Sequence, residues 1–311
     1  MTHSRTFRVL FVGSLLSAIA AVVALFLWLV VWPSWNEWHA LHSLRQAMLQ
    51  AEMLTMQEAI EELELYHAVD AAIPILVQGL KDPNPEIRQA TADVFFVLAD
   101  PAVKAALPAL IAALNDDSPW IRRDIEGALM HLGPEAKDAV GALIPRLNDD
   151  DPEVRLWSAF ALGAIGPEAK AAVPELIDTM SENTESNLLR VVAAQALWKI
   201  GGEANAVVPV LVEGMKDSEW NTRDWTAAIL GELGPNANAA LPELIKALSD
   251  PEHRVRIRAA KALRAVDPSS ATEAIPILSD LLGDNDGFVR EESNRILRLL
   301  DSDAATQAGV K

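Results

Sequence analysis

The chain has 311 residues, half of them hydrophobic, a formal net charge of -18 and no cysteine. Disulfides, thiolate chemistry and cysteine metal sites are thereby excluded, and the negative charge opposes binding to the nucleic-acid phosphate backbone. The length suffices for an extended array of small units, which needs no single large core.

Residues 1–8 carry Arg5, Arg8 and His3 and no acid. Val9 to Trp32 is then uncharged for 24 residues. A helix of that length rises about 36 Å against a hydrocarbon core of roughly 30 Å, so 9–32 is expected to span the lipid bilayer once. Trp28, Trp32, Trp35 and Trp38 stand where an interfacial aromatic belt belongs. A cleaved signal peptide is the competing reading. Its apolar region normally runs about 7–15 residues, and the candidate cleavage residues Ala18 and Ala20 fall in mid-span. Arg45 is the only Lys or Arg in the 48 residues after the span. This asymmetry predicts a cytoplasmic amino terminus and an extracytoplasmic, periplasmic-side remainder. Gly13, Ser17 and Ala21 recur at a spacing suited to helix packing within the membrane.

Residues 33–66 read as a helical connector and cap, with Leu41, Leu44, Met48, Ala51, Ile60 and Leu63 broadly on one side. A coiled-coil dimer is the alternative there, although the heptads are irregular.

From residue 67 to 300 one unit is written seven times. Its marker arginines are Arg88, Arg122, Arg155, Arg190, Arg223, Arg256 and Arg290, spaced 34, 33, 35, 33, 33 and 34 apart. Such self-similarity means stacked supersecondary units. The first half of each unit is anchored by Pro74, Pro108, Pro174, Pro209, Pro242 or Pro276, with Gly141 in the third copy, and leucine follows two residues later. Proline suits the first turn of a helix, where the N–H has no partner. Copy three has its proline a turn later, at Pro145, which predicts a bent helix. The second half opens at Asn84, Ser118, Asp151, Ser186, Glu219, Glu252 and Asp286, five of which are good N-cap types. An alanine-rich apolar stripe follows, and Gly133, Gly166, Gly201 and Gly234 close four of these helices. Each unit is therefore a helical hairpin, and the tail 301–311 is expected to fray.

Six residues before the arginine lies an aspartate in six copies: Asp82, Asp116, Asp149, Asp217, Asp250 and Asp284, with Thr184 in the fourth. A carboxylate in the inter-helix turn and a guanidinium on the next helix suit forked hydrogen bonding, within one unit or between neighbours.

These residues resemble the HEAT repeat, specifically the short type found in phycobilisome lyases and many bacterial proteins. The resemblance rests on the Pro-x-Leu helix, the Asp and Arg six apart, the alanine-rich second helix and the Gly-Pro-Glu-Ala junctions at Gly133 and Gly166, and it covers about Ala68 to Leu300. It implies an all-α solenoid of about seven hairpins, a right-handed superhelix whose second helices line the concave side, and an Asp–Arg ladder. The fourth copy departs from the pattern, which implies a break or bend there.

The search for chemistry is mostly negative. His3, His39, His42, His67, His131 and His253 are scattered and pair with no acid at metal-ligand spacing. The His-Glu dipeptides that HEAT-like deoxyhypusine hydroxylases use for iron are missing, as are phosphate-binding glycine loops. No catalytic residue, cofactor or metal is expected.

Two surfaces stand out. If the apolar stripe faces inward, residues one, five and eight after the arginine face out. In copies three and four these are Leu156, Phe160, Gly163, Val191, Gln195 and Trp198, with Trp157 on the margin. So apolar a face marks a contact site, unless the side chains pack between neighbouring units. In copies six and seven the face is basic, with Arg254, Arg258, Lys261 and Arg264, suited to an acidic segment or anionic headgroup as well as to plain solvation. The expectation is a membrane-anchored scaffold, an accessory or assembly subunit that binds a protein in its groove. A bilin-lyase-like chromophore enzyme is the alternative that the resemblance brings; nucleic-acid binding is opposed by charge.

Overall fold

In the computed structural model the described residues are 39–44, 46, 61–62, 65, 67–98, 100–181 and 186–307, with side chains as far as Leu300. The transmembrane reading of 9–32, its orientation and most of the connector lie outside them. Among the described residues no helix is long and apolar enough to cross a membrane.

Seven helical hairpins follow one another: α1 (Val69–Gly79) with α2 (Pro85–Val97), α3 (Leu107–Ala113) with α4 (Pro119–Leu132), α5 (Val140–Leu143) with α6 (Pro152–Ile165), α7 (Val173–Ser181) with α8 (Asn187–Ile200), α9 (Ala204–Gly214) with α10 (Trp220–Leu233), α11 (Leu241–Ala247) with α12 (His253–Val266), and α13 (Ile275–Leu281) with α14 (Gly287–Gln307). The last helix runs seven residues into the stretch expected to fray. The chain divides into two compact units, residues 1–128 and 129–311.

The capping residues behave as their types dictate. The side chains of Asn84, Asp151, Ser186 and Asp286 accept from backbone N–H groups in the first turns of α2, α6, α8 and α14. Glu252 does the same for α12, whereas Glu219 makes no such bond. Most first helices open with a 3-10 turn before the proline, but Pro74 and Pro209 lie well inside α1 and α9. The proline of copy three acts as expected: α5 is four residues long and passes into a 3-10 segment, Ile144–Asn148, that contains Pro145. At the ends of the second helices Gly166 and Gly234 take positive φ with extended ψ, which lets the next proline follow directly. Gly201 instead closes α8 in the left-handed region, with Gly202 N–H bonded to the Leu197 carbonyl at 2.8 Å and Gly201 N–H to Trp198 at 3.0 Å, the double bond of a Schellman ending.

In the first unit the core is Leu76, Val94, Phe95, Leu98, Leu110, Leu114, Ile121 and Ile125, all essentially inaccessible. Ala40 and Leu44 are buried as well. In the second unit the apolar stripes of successive second helices meet through small residues. A Cβ placed on Gly163 of α6 would lie 3.0 Å from the Ala196 Cα of α8, and one on Gly231 of α10 would lie 3.3 Å from the Ala262 Cα of α12. Glycine eight residues after the arginine thus meets alanine six after the next one, twice over. The small side chains bring second helices of neighbouring repeats together.

Candidate functional site: the aromatic groove and the turn ladder

The turns come first, because they hold the second helices in register. All six aspartates, Asp82, Asp116, Asp149, Asp217, Asp250 and Asp284, accept on Oδ1 from the backbone N–H two residues on, at 2.7–3.1 Å. Arg88, Arg122, Arg155, Arg223, Arg256 and Arg290 each donate Nη1 to the backbone carbonyl of their own turn's aspartate, at 2.7–3.0 Å. For Arg88 and Arg223 the side-chain pairing goes to the neighbour. In the first unit Arg88 forks onto Asp116 at 2.7 and 3.3 Å, and in the second Arg223 forks onto Asp250 at 2.7 and 2.8 Å. Burial alone would raise both carboxyls, but these guanidiniums and the turn N–H groups hold Asp116 and Asp250 below the ordinary aspartate value. Asp149 receives Arg146 at 3.0 Å. The fourth copy solves its missing aspartate differently: Arg190 turns to the Met180 carbonyl at 3.1 Å and to Asn187, whose amide donates to Asp217 at 2.5 Å. Thr184 lies outside the described residues.

The second helices of repeats three to five build a groove in the second unit. It has a volume of about 290 Å³, a floor of Gly163, Ala164 and Ala196, and walls that include Trp157 and Phe160 of α6 and Trp225 of α10. Between them α8 contributes Val192, Gln195, Ala196 and Lys199 to the lining. Trp157 and Phe160 have centroids 5.8 Å apart at 58°, and Phe160 and Trp225 are 5.3 Å apart, edge to face at 79°. Trp225 is 40% exposed. The polar end is Glu232, which accepts from Gln195 Nε2 at 3.0 Å and sits 3.6 Å from Lys199 Nζ.

Of the residues the sequence placed on this face, Trp157, Phe160, Gly163 and Gln195 line the groove. The groove is lined by Trp157, Ala159, Phe160, Gly163 and Ala164 of α6, by Val192, Gln195, Ala196 and Lys199 of α8, by Trp225 and Glu232 of α10, and by Met130 at the end of α4. Leu156 and Trp198 do not line it. Val191 is corrected outright: it is 1% exposed, and its Cγ2 lies 2.6 Å from where a Gly214 Cβ would stand. It packs between repeats and faces no partner. Trp225 was missed, although it stands two residues after its arginine as Trp157 does.

The basic face of repeats six and seven is matched by acids on adjacent helices. Arg258 forks onto Asp224 at 3.1 and 3.3 Å, and Lys261 and Arg295 converge on Glu292, whose carboxyl they hold down at about 2. Arg254 lies 5.8 Å from the Trp220 ring centre, and Arg264 also has a partner. The charges of Arg258, Lys261 and Arg295 are thus met by carboxylates within the chain. Among the described residues no group of three or more His, Asp or Glu is placed to hold a metal.

A search of curated proteins gives no match. Among solved structures, the complex of CpcE and CpcF of phycocyanin lyase from Nostoc sp. PCC7120 is similar at 22% identity and TM-score 0.52, over 85% of this chain and 92% of that one. An engineered protein matches at 22% identity, TM-score 0.46, over 78% and 71%. A designed armadillo repeat protein matches at 17%, TM-score 0.41, over 73% and 99%. The family model for HEAT repeats matches three times, over residues 41–130, 140–230 and 208–298. With those matches on most of its length and seven hairpins to account for them, the chain belongs to the HEAT-repeat family.

Proposed function

We propose that the chain is a non-catalytic scaffold, tethered to a membrane through residues 9–32, that serves as an accessory or assembly subunit and holds a protein segment in the groove of repeats three to five. The groove itself carries the reading. Trp157 and Phe160 of α6 and Trp225 of α10 line one open depression, and tryptophan is enriched at interface hot spots. The tether rests on the uncharged 24-residue stretch and its flanking tryptophans. The orientation, with the solenoid on the periplasmic side, rests on Arg5 and Arg8. A net charge of -18 speaks against nucleic acid as partner.

Replacing Trp157 and Trp225 together by alanine should cost at least about 2 kcal/mol of partner affinity. The check is comparative co-purification after mild detergent extraction, with circular dichroism to verify the fold. Undiminished recovery by a folded double variant would move the site elsewhere.

A chromophore-handling enzyme is the second reading, prompted by the likeness to phycocyanin lyase. A groove of about 290 Å³ stands at the foot of the roughly 300–1,000 Å³ range of small-molecule sites, which favours a partner's side chain over a whole chromophore. A visible absorption band that follows the purified protein and is lost in the double variant would favour the enzyme.

A further inference from the structure

We infer that the groove is a receptor for an arginine side chain of the partner segment. The inference rests on the groove being the docking site and adds the chemistry of the residue it takes.

Three observations lead there. First, the rings are arranged as walls. Neither ring pair is stacked face to face, and Trp157, Phe160 and Trp225 all line the groove, where an entering cation can meet a ring. The negative face of an aromatic ring attracts a cation within about 6 Å of its centre, tryptophan most strongly and guanidinium most often. Arg123 lies 4.8 Å from the Trp120 ring centre elsewhere in the chain, an instance of the same pairing. Second, the groove ends on a carboxylate whose cation is loosely held. Glu232 and Lys199 are 3.6 Å apart with their side chains 47% and 43% exposed. A compact ammonium at that distance exchanges readily, whereas a guanidinium offers a planar fork matched to a carboxylate. Third, the surroundings are acidic. Between residues 149 and 234 acids outnumber Lys and Arg by 15 to 6, against 44 to 26 over the whole chain. The volume of about 290 Å³ suits a single long side chain, with its stem over Gly163, Ala164 and Ala196 and its head between the rings and Glu232.

The test uses the full-length chain in detergent with 5-fluorotryptophan in place of tryptophan. The 19F resonances of Trp157 and Trp225 are assigned by single phenylalanine substitutions. N-acetylarginine amide is titrated against N-acetylcitrulline amide, which keeps the shape and lacks the charge. The expected result is a saturable shift of the Trp157 and Trp225 resonances with the arginine compound. The citrulline compound, and the arginine compound on Glu232→Gln, should bind at least fivefold more weakly. Equal binding of the two compounds, or shifts confined to Trp120 and Trp220, would overturn the inference. Loss of partner in Trp157→Ala/Trp225→Ala together with equal binding of the two compounds would leave the docking site standing and remove only the arginine. If that variant keeps its partner as well, both readings fall.

Discussion

At the scale of single residues, the turn carboxylates do three jobs at once. Asp250 fixes its own turn through the Glu252 N–H, leaves its backbone carbonyl to Arg256, and takes the fork of Arg223 from the preceding repeat. Asp250→Ala strands a part-buried guanidinium and should cost about 1–3 kcal/mol in urea unfolding. Asp217 receives a neutral amide from Asn187 in place of a fork, so Asp217→Ala should cost clearly less. Equal losses would deny the fork any special part. A second prediction concerns Asp93 in the first unit. Burial, reinforced by a hydrogen bond with Asp124, pushes its carboxyl from 3.8 up to about 6, against the donation of Gln89 at 2.9 Å. A raised folded-state value means that stability from this group is complete below 3.8 and is lost as the pH rises through about 6. Asp116 and Asp250 run the other way, their contribution present above 3.8 and lost as the pH falls. Asp93→Asn keeps a donor toward Asp124 and should gain about 1–2 kcal/mol at pH 7 and nothing at pH 4, as read by thermal melts at the two values. A variant no more stable at pH 7 would show that the buried charge costs nothing.

At the scale of elements, the repeat was legible because its punctuation is local. Proline, N-cap, arginine and glycine act within a turn of where they stand, so their fixed offsets carry straight into hairpins. The direction of the side-chain forks was less legible, since an aspartate six residues back looks equally reachable from its own arginine and from a neighbour's. At Arg88 and Arg223 geometry settles it by giving the own turn's carbonyl to Nη1 and the next turn's carboxylate to Nε and Nη2. The groove face was only partly legible, with Phe160, Gly163 and Gln195 on it and Leu156, Val191 and Trp198 off it, because its direction depends on how second helices pack on each other. Gly163 against Ala196 and Gly231 against Ala262 decide that, and a single helix's apolar stripe does not encode a neighbour's approach. Gly163→Val tests this device. Its side chain would press on the Ala196 backbone 3.0 Å away, and such overpacking typically costs about 1–3 kcal/mol. Partner binding should fall by more than the loss of stability explains, because Trp157 and Phe160 shift with α6. A fully stable variant would mean that the close approach is incidental.

At the scale of the whole molecule, the account joins an apolar amino-terminal stretch to an acidic helical array. If residues 9–32 anchor the chain with Arg5 and Arg8 inside, protease added to intact spheroplasts should degrade the repeats without lysis; protection until lysis would reverse the orientation. The central claim is that the groove of repeats three to five holds a protein segment, and photo-crosslinking tests it most directly. A benzoylphenylalanine at Lys199, beside Glu232 at the groove's polar end, is compared with one at Ile177, which is 45% exposed on α7. The account predicts that one protein is captured from position 199 in native membranes, is not captured from 177, and is lost when Trp157 and Trp225 are both alanine. Capture of the same protein from both positions, undiminished by the double substitution, would contradict it.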